Sequence, residues 1–197
     1  MWKIENALFT DGWSVVAGVD EAGRGPLAGP VYAAAVILPP NLQIDGLDDS
    51  KKLSESKREE LFGIIVGKAV AYGIASASEK EIDEINILNA TYLAMNRAIE
   101  KLEIMPEVAL IDGNRSTGIL YPNKCIIGGD GLSASIAAAS ILAKVTRDRY
   151  MVELSAQYPE YGFEKHKGYP TKLHYEMIEQ HGPSPVHRVS FRLHKAK

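Results

Sequence analysis

Three times in this chain an apolar run leads into an acid beside glycine. Residues 15–19 run into Asp20 and Glu21, with Gly23 just beyond; residues 108–111 end at Asp112 before Gly113; Ile126 and Ile127 lead through two glycines to Asp130. Short β-branched runs stopped by turn-forming residues read as strands. The pattern therefore predicts a sheet whose strand ends carry carboxylates. Neighbouring strand residues point to opposite faces, so Asp20 and Glu21 cannot both aim at one centre through a regular pleat. A bend or bulge there would bring both to one metal, and the glycines after it make such a distortion cheap. Clustered carboxylates repel one another unless cations neutralise them. Oxygen donors without an organised Cys or His set suit Mg²⁺ or Mn²⁺ better than Zn²⁺. Each acid taken singly could instead cap a turn or helix, and for Asp130 the cap role stays open. The recurrence favours a shared metal site.

The remaining periodicity predicts an α/β fold with a mixed central sheet flanked by helices. Strands are expected at 14–20, 30–38, 69–77, 107–112 and 123–127, and helices at 54–67, 86–103, 132–157 and 171–181. The run VYAAAVIL is short and ends at Pro39-Pro40, which favours a strand over a helix. Two early strands joined by a short loop point to an antiparallel pair, and later strands alternate with helices. The stretch SASIAAASILAKVTRDRYM reads as a helix with a small-residue face for tight packing. With 197 residues and 46% hydrophobic content, one α/β domain spanning 1–197 is expected, its basic helical part starting near 144.

Charge is unevenly spread. Residues 1–143 hold 12 Lys+Arg against 19 Asp+Glu, whereas residues 144–197 hold 10 against 6 and all five histidines. The net charge of −3 argues against indiscriminate nucleic-acid binding. The split fits an acidic part that holds cations beside a basic part that holds an anion, or else ordinary surface scatter. The lone Cys125 excludes an intrachain disulfide framework and a cysteine-based zinc site, and reads as a buried inert thiol in a reducing compartment. No apolar run is long enough to span a membrane, and the start, MWKIENALFTDG, lacks a signal-peptide core. A cytoplasmic location is expected. Residues 23–28, GRGPLA, satisfy the dinucleotide fingerprint in form only, because that fingerprint must open a helix and here Pro26 and Pro30 bracket the loop.

Six strings cover most of residues 17–191: GVDEAGRGPLAGPV, LDDSKKLSESKREELF, INILNATYLAMNRAI, LIDGN, GGDGLSASIAAASILAKVTRDRYM and YGFEKHKGYPTKLHYEMIEQHGPSPVHRVSF. Together they resemble the bacterial ribonuclease HII family, the type 2 ribonucleases H. The resemblance implies a ribonuclease H-like fold and metal-dependent cleavage of the RNA strand of RNA/DNA hybrids. It also implies incision 5′ to single ribonucleotides in duplex DNA, in replication and repair. Asp20, Glu21, Asp112 and Asp130 match the family's catalytic, metal-binding carboxylates. Gly23, Arg24 and Gly25 match the loop that reads the ribose 2′-hydroxyl, and Tyr169 matches the tyrosine that packs on the sugar at the RNA-to-DNA junction.

The residues themselves allow these roles. A glycine loop can bring backbone groups close to a 2′-hydroxyl, the one group that separates ribose from deoxyribose. Arg24 fits a neighbouring phosphate or a brace for the loop. Lys51, Lys52 and Lys144 fit phosphate contacts, while Arg147 and Arg149 fit either phosphates or ion pairs that hold the fold. The histidines show no metal spacing and read as surface or structural groups. A monomer with nucleic-acid substrates and no membrane partner is expected. The tail, SFRLHKAK, departs from the family's proline-containing ending and carries no sequence that names a protein partner. The rival readings are a DNA-only nuclease of the same fold, a non-catalytic hybrid-binding module and a metal-free histidine ribonuclease.

Overall fold

The structure is a computed structural model and describes residues 1–194. Its elements in chain order are α1 (Lys3–Thr10), β1 (Val16–Ala22), β2 (Val31–Ile37), α2 (Glu55–Lys68), β3 (Ala71–Ala77) and α3 (Glu79–Glu100). They continue with β4 (Val108–Asp112), β5 (Asn123–Ile126), α4 (Ala134–Gln157), α5 (Phe163–His166) and α6 (Lys172–His181). The five strands form one sheet in the order β3-β2-β1-β4-β5. β1, β2 and β3 pair antiparallel, while β4 and β5 extend the sheet parallel to β1. The sheet is thus mixed, with helices on both faces, as the sequence pattern predicts.

Alternation along the strands divides the core. Ala17, Val19, Ala33 and Ala35 face α3, whereas Ala34 and Val36 face α2 and α4. Small residues let α4 come very close to β1. A Cβ on Gly18 would lie 2.1 Å from the Ser135 carbonyl carbon, so no side chain fits at that position. This close approach fixes α4 over the central strand, and α4 carries the helical face that meets the strand-end acids.

Several boundaries differ from the sequence expectation for identifiable reasons. α3 begins at Glu79 rather than 86, because Ser78 and Glu81 form a reciprocal capping box. Asn86 then breaks the helix at φ 67°, and its side chain accepts from the amides of Leu88 and Asn89, restarting it. The expected start at 86 is this internal kink. α1 was not expected at all. It buries Leu8 and Glu5, and Glu5 Oε1 accepts from the Ser133 hydroxyl at 2.6 Å and the Ser135 amide at 3.0 Å. An N-terminal helix thereby supplies an anion to the start of α4, where free amides favour one. Cys125 lies on edge strand β5 and is only half-buried, because that strand has a neighbour on one side alone.

Beyond the sheet, Met151 and Leu154 of α4 pack with Tyr161, Phe163, Ile178 and Val186 into a separate small core. The segment after α6 returns to the chain just past the glycine loop. Gly29 N–H donates to Val186 O, and Arg188 N–H to Leu27 O, each at 2.8 Å. Among the described residues no helix is long and apolar enough to cross a membrane.

Candidate active site

The acids meet because β4 ends beside β1 in parallel register. Val19 pairs with Ile111, so Asp20 and Asp112, each one residue further on, stand side by side. Both follow the strand positions that face α4, as Gly18 and Leu110 do. Asp130 arrives from a 3-10 turn, Gly129–Gly131, that Asp112 itself holds: Asp112 Oδ1 accepts from Gly129 N–H at 2.7 Å. One carboxylate oxygen from each of Asp20, Asp112 and Asp130 lies within 4.8 Å of the others. The cap of α4 is Ser133, whose hydroxyl accepts from Ile136 N–H, so Asp130 is not spent as that helix cap.

Glu21 stands apart from this trio. β1 pairs regularly with β2 through Asp20, Glu21 and Ala22, so no bulge turns Glu21 toward the α4 face. The pleat sends it to the other side, where it lines a cavity of about 260 Å³ with Leu88, Thr91, Tyr92 and Met95 of α3. Asp112 and Arg24 border the same cavity, and Arg24 pairs with Glu21 at 3.2 Å. Asp20 and Glu21 therefore leave β1 on its two faces, although Glu21 also borders a cavity with Ser140 and Lys144 of α4.

Electrostatics show the cost of this arrangement. Burial, then the charges of Glu21 and Asp112, hold the Asp20 carboxyl well above its ordinary value. Asp130 is raised by burial and then by Asp112, and Glu21 is raised by burial in spite of Arg24. For Lys51, the downward pull of partial burial is outweighed by Asp20 and Asp130, so its pKa is raised and its ammonium stays charged. Its Nζ lies 3.8 Å from Asp130. Three converging carboxylates, with Asp20 and Asp130 raised by burial and by their neighbours' charge, are an all-oxygen donor set that fits a hard divalent cation.

Beside the acids lies a second cavity of about 520 Å³. Its lining includes Glu21, Gly23, Arg24, Gly25, Lys51 and Tyr169, with Ser140 and Lys144 at the α4 side. The two glycines differ in kind. Gly23 has φ +98°, and a Cβ there would sit 2.0 Å from Arg147 Nε, so the fold itself demands glycine. Gly25 has no such constraint, and a Cβ would meet only Tyr169 at 3.8 Å. Its missing side chain leaves the cavity floor open rather than satisfying the backbone. Gly25→Ala is therefore expected to melt within about 0.5 kcal/mol of the parent. Gly23→Ala should lose more than about 1 kcal/mol through strain and displacement of Arg147. Urea unfolding of the two variants side by side checks this, and equal losses would contradict it.

The remaining basic residues separate. Lys52 pairs with Asp48 outside this cavity, and Lys144 pairs with Asp148 at 2.7 Å while facing the Tyr169 ring. Arg149 pairs with Glu59 and stacks on Phe62. Arg147 is buried and donates to the carbonyls of Pro30, Lys167 and Ala28. Sequence reasoning missed Arg188 altogether. Its buried guanidinium donates to four carbonyls, those of Gly23, Arg24, Pro26 and Gly29, at 2.7–3.0 Å. Burial, and then Arg147, pull its pKa down to about 9. The only signal in the sequence is a charged residue within Val186–Val189, a run that otherwise looks like a strand. His166, His174 and His187, expected to be surface or structural, are all buried beneath the Tyr169 turn.

Comparison with known proteins agrees with this geometry. A family model described as Ribonuclease HII matches residues 17–194. A ribonuclease HII from Caldicellulosiruptor bescii is 54% identical over 190 residues, covering 96% of this chain and 92% of that protein. One from Shewanella baltica is 58% identical over 198 residues, covering 98% of this chain and 94% of its own. Among solved structures, the ribonuclease H2 of Pyrococcus horikoshii OT3 superposes with a TM-score of 0.75 at 30% identity, covering 91% of this chain and 95% of that one. With its mixed sheet, its strand-end acids and a match that spans nearly the whole length, the chain belongs to the ribonuclease HII family.

Proposed function

We propose that this chain is a metal-dependent endoribonuclease that cleaves the RNA strand of RNA/DNA hybrids and incises duplex DNA 5′ to a single embedded ribonucleotide. One observation carries the reading: three converging carboxylates stand next to a cavity whose floor is Gly25 and whose wall is Tyr169. A ribose sensor next to a metal-type acid set serves a nuclease that must find a 2′-hydroxyl. A DNA-only nuclease has no need of the first, and a binding module none of the second.

Asp20, Asp112 and Asp130, with Glu21 on the other flank of the strand end, would hold Mg²⁺ or Mn²⁺. When bound, a pair of such cations supplies an activated water and counter-charge for the departing 3′-oxygen. The protein's own groups do the positioning. Lys51 and Lys144 line the cavity and offer ammonium groups to backbone phosphates. Arg24 is half-exposed at the cavity mouth and can leave Glu21 for a phosphate. The 23–25 backbone meets the ribose edge, held in place by Arg188 behind it. Tyr169, 39% exposed, presents its ring to the sugar on the 3′ side. We take the enzyme to be a cytoplasmic monomer with one catalytic domain, acting in replication and repair. The continuity of α4 from the sheet core into the small C-terminal core supports the single domain.

Tyr169→Ala is expected to slow incision at a single ribonucleotide by about one to two orders of magnitude, the usual worth of one lost aromatic stacking contact. An all-RNA strand paired with DNA places no deoxyribose against the ring, so its cleavage should fall less. Equal losses on both substrates would reduce Tyr169 to general positioning. The whole proposal is tested by four duplexes: all-DNA, all-RNA, RNA/DNA hybrid and DNA with one ribonucleotide. Each is assayed with Mg²⁺, with Mn²⁺ and with chelator. Cleavage of the last two alone, and only with metal, is expected; metal-independent cleavage, or cleavage of all-DNA duplex, would reject it.

A further inference from the structure

The Tyr169 side chain makes no hydrogen bond among the described residues; Lys144 and Arg147 stand over its ring at 5.7 and 5.8 Å from the centroid, and the hydrogen bonds that place the residue are made by its backbone. That backbone is closely held. Its N–H donates to His166 O, and its carbonyl accepts from Thr171 N–H, each at 2.8 Å. The same carbonyl accepts from His174 Nδ1 at 3.0 Å. His174 Nε2 then lies 3.0 Å from His187 Nε2, and His187 Nδ1 lies 2.9 Å from the Ser184 amide and 2.7 Å from its hydroxyl. The two backbone ends fix every proton in this chain. A carbonyl can only accept, so His174 carries its proton on Nδ1 and its Nε2 accepts. An amide N–H can only donate, so His187 Nδ1 accepts and its proton sits on Nε2. The two deductions meet at the His187 Nε2–H to His174 Nε2 bond without conflict. The relay runs Ser184, His187, His174, Tyr169 in one direction, with both rings neutral.

We propose that His174 and His187 are positioning residues for substrate choice: their directed relay sets the Tyr169 carbonyl, and through it the ring that tests the sugar 3′ to the ribonucleotide. The inference rests on the proposed role of Tyr169. Surroundings favour a neutral, rigid relay. His174 stacks on His166 with ring centroids 4.4 Å apart, and Phe163 meets it edge-on at 5.6 Å. Tyr161 packs against His187 at 4.9 Å. Burial holds both rings at about 4, far from protonation at neutral pH. The relay also begins at the segment that holds the glycine loop, since Arg188 follows His187 directly and bonds the carbonyls of Gly23 and Arg24. One stretch of chain thus braces both surfaces proposed to read sugars.

Two substitutions at one buried site separate positioning from mere packing. The amide nitrogen of Asn overlays Nδ1 of histidine, so His174→Asn can keep the bond to Tyr169. That of Gln overlays Nε2, so His174→Gln loses it. The readout is the ratio of incision at a single ribonucleotide to cleavage of an all-RNA hybrid strand, measured with Tyr169→Ala alongside. His174→Gln should lower this ratio roughly tenfold, and His174→Asn should leave it within about twofold of wild type, the difference one buried hydrogen bond makes. Equal ratios in the two variants would overturn the inference. If Tyr169→Ala itself leaves the ratio unchanged, the junction role of Tyr169 falls first; if it lowers the ratio and His174→Gln does not, only the relay's role falls. Should a variant fail to fold, imidazole ¹⁵N spectra of the wild-type protein decide. An Nδ1-protonated His174 and an Nε2-protonated His187 are expected, both shifting when a ribonucleotide-containing duplex is added in chelator. Other tautomers, or resonances indifferent to the duplex, would overturn the inference.

Discussion

Asp112→Asn should lower cleavage on the order of a thousandfold while making the metal-free protein more stable. The substitution keeps Oδ1, so the bond from Gly129 N–H that holds the Asp130 turn survives. What it removes is one charge from a group of carboxylates crowded within 4.8 Å. Asp20 and Asp130 both titrate above the ordinary 3.8, through burial first and Asp112 among the charges that follow. A carboxyl raised in the folded state ionises more readily when unfolded. The cluster therefore leaves metal-free stability intact below pH about 4 and erodes it as pH climbs through the raised values. Removing Asp112 weakens that erosion. At pH 7 in chelator the variant should melt higher by about 2–4 °C for each kcal/mol of repulsion relieved. Mg²⁺ acts in the same sense on the wild type by binding only the folded state, and should add less to the variant. Thermal melts with Mg²⁺ and with chelator, run beside the nuclease assay, check both halves. Near-normal turnover in a folded variant would take Asp112 out of the catalytic set.

The second large effect concerns a residue that touches no substrate. Arg188→Met is expected to cost about 3–5 kcal/mol, because it leaves the carbonyls around the glycine loop without donors. Four carbonyls share this guanidinium, and no carboxylate bonds to it among the described residues. The buried cation and the carbonyl dipoles offset each other, so neither is cheap to keep alone. Methionine has similar reach but no donor. Arg188→Lys keeps the charge with a single ammonium and should recover only part of the loss. Urea titration of the three proteins gives the order wild type, Lys, Met. A Met variant within about 1 kcal/mol of the parent would show that water or rearranged backbone satisfies the loop, and the clamp would be dispensable.

How much of this was legible in the sequence follows from which interactions are local. Strand ends, their acids and the small-residue helix are local patterns, and they predicted the mixed sheet. Asp20 and Asp112 could be grouped because each ends an apolar run before glycine, whereas the parallel pairing of β1 with β4 that sets them side by side joins segments some ninety residues apart and leaves no local mark. The pleat at Glu21 was also legible as a conflict, yet its resolution was not. The strand stays regular and sends Glu21 to the α3 face, since β2 pairs with every residue through Ala22. Arg188 and the histidine relay were hidden for the opposite reason. Arg188 bonds to residues at least 159 positions away, and its partners are carbonyls, which every sequence has. No residue type marks such a partner. α1 escaped for a related reason: its buried Glu5 answers the start of α4, 128 residues later, rather than anything in its own segment.

On the proposed function, these acids with bound metal would direct water to the phosphate just 5′ of a ribonucleotide. That reading is tested most directly by one end-labelled DNA duplex with a single ribonucleotide, cut in Mg²⁺, with the chemistry of both new ends read out. The predicted result is one nick, leaving a 3′-hydroxyl on the DNA and a 5′-phosphate on the ribonucleotide, absent in chelator. A nick 3′ to the ribonucleotide ending in a 2′,3′-cyclic phosphate, or one that persists without metal, would contradict it.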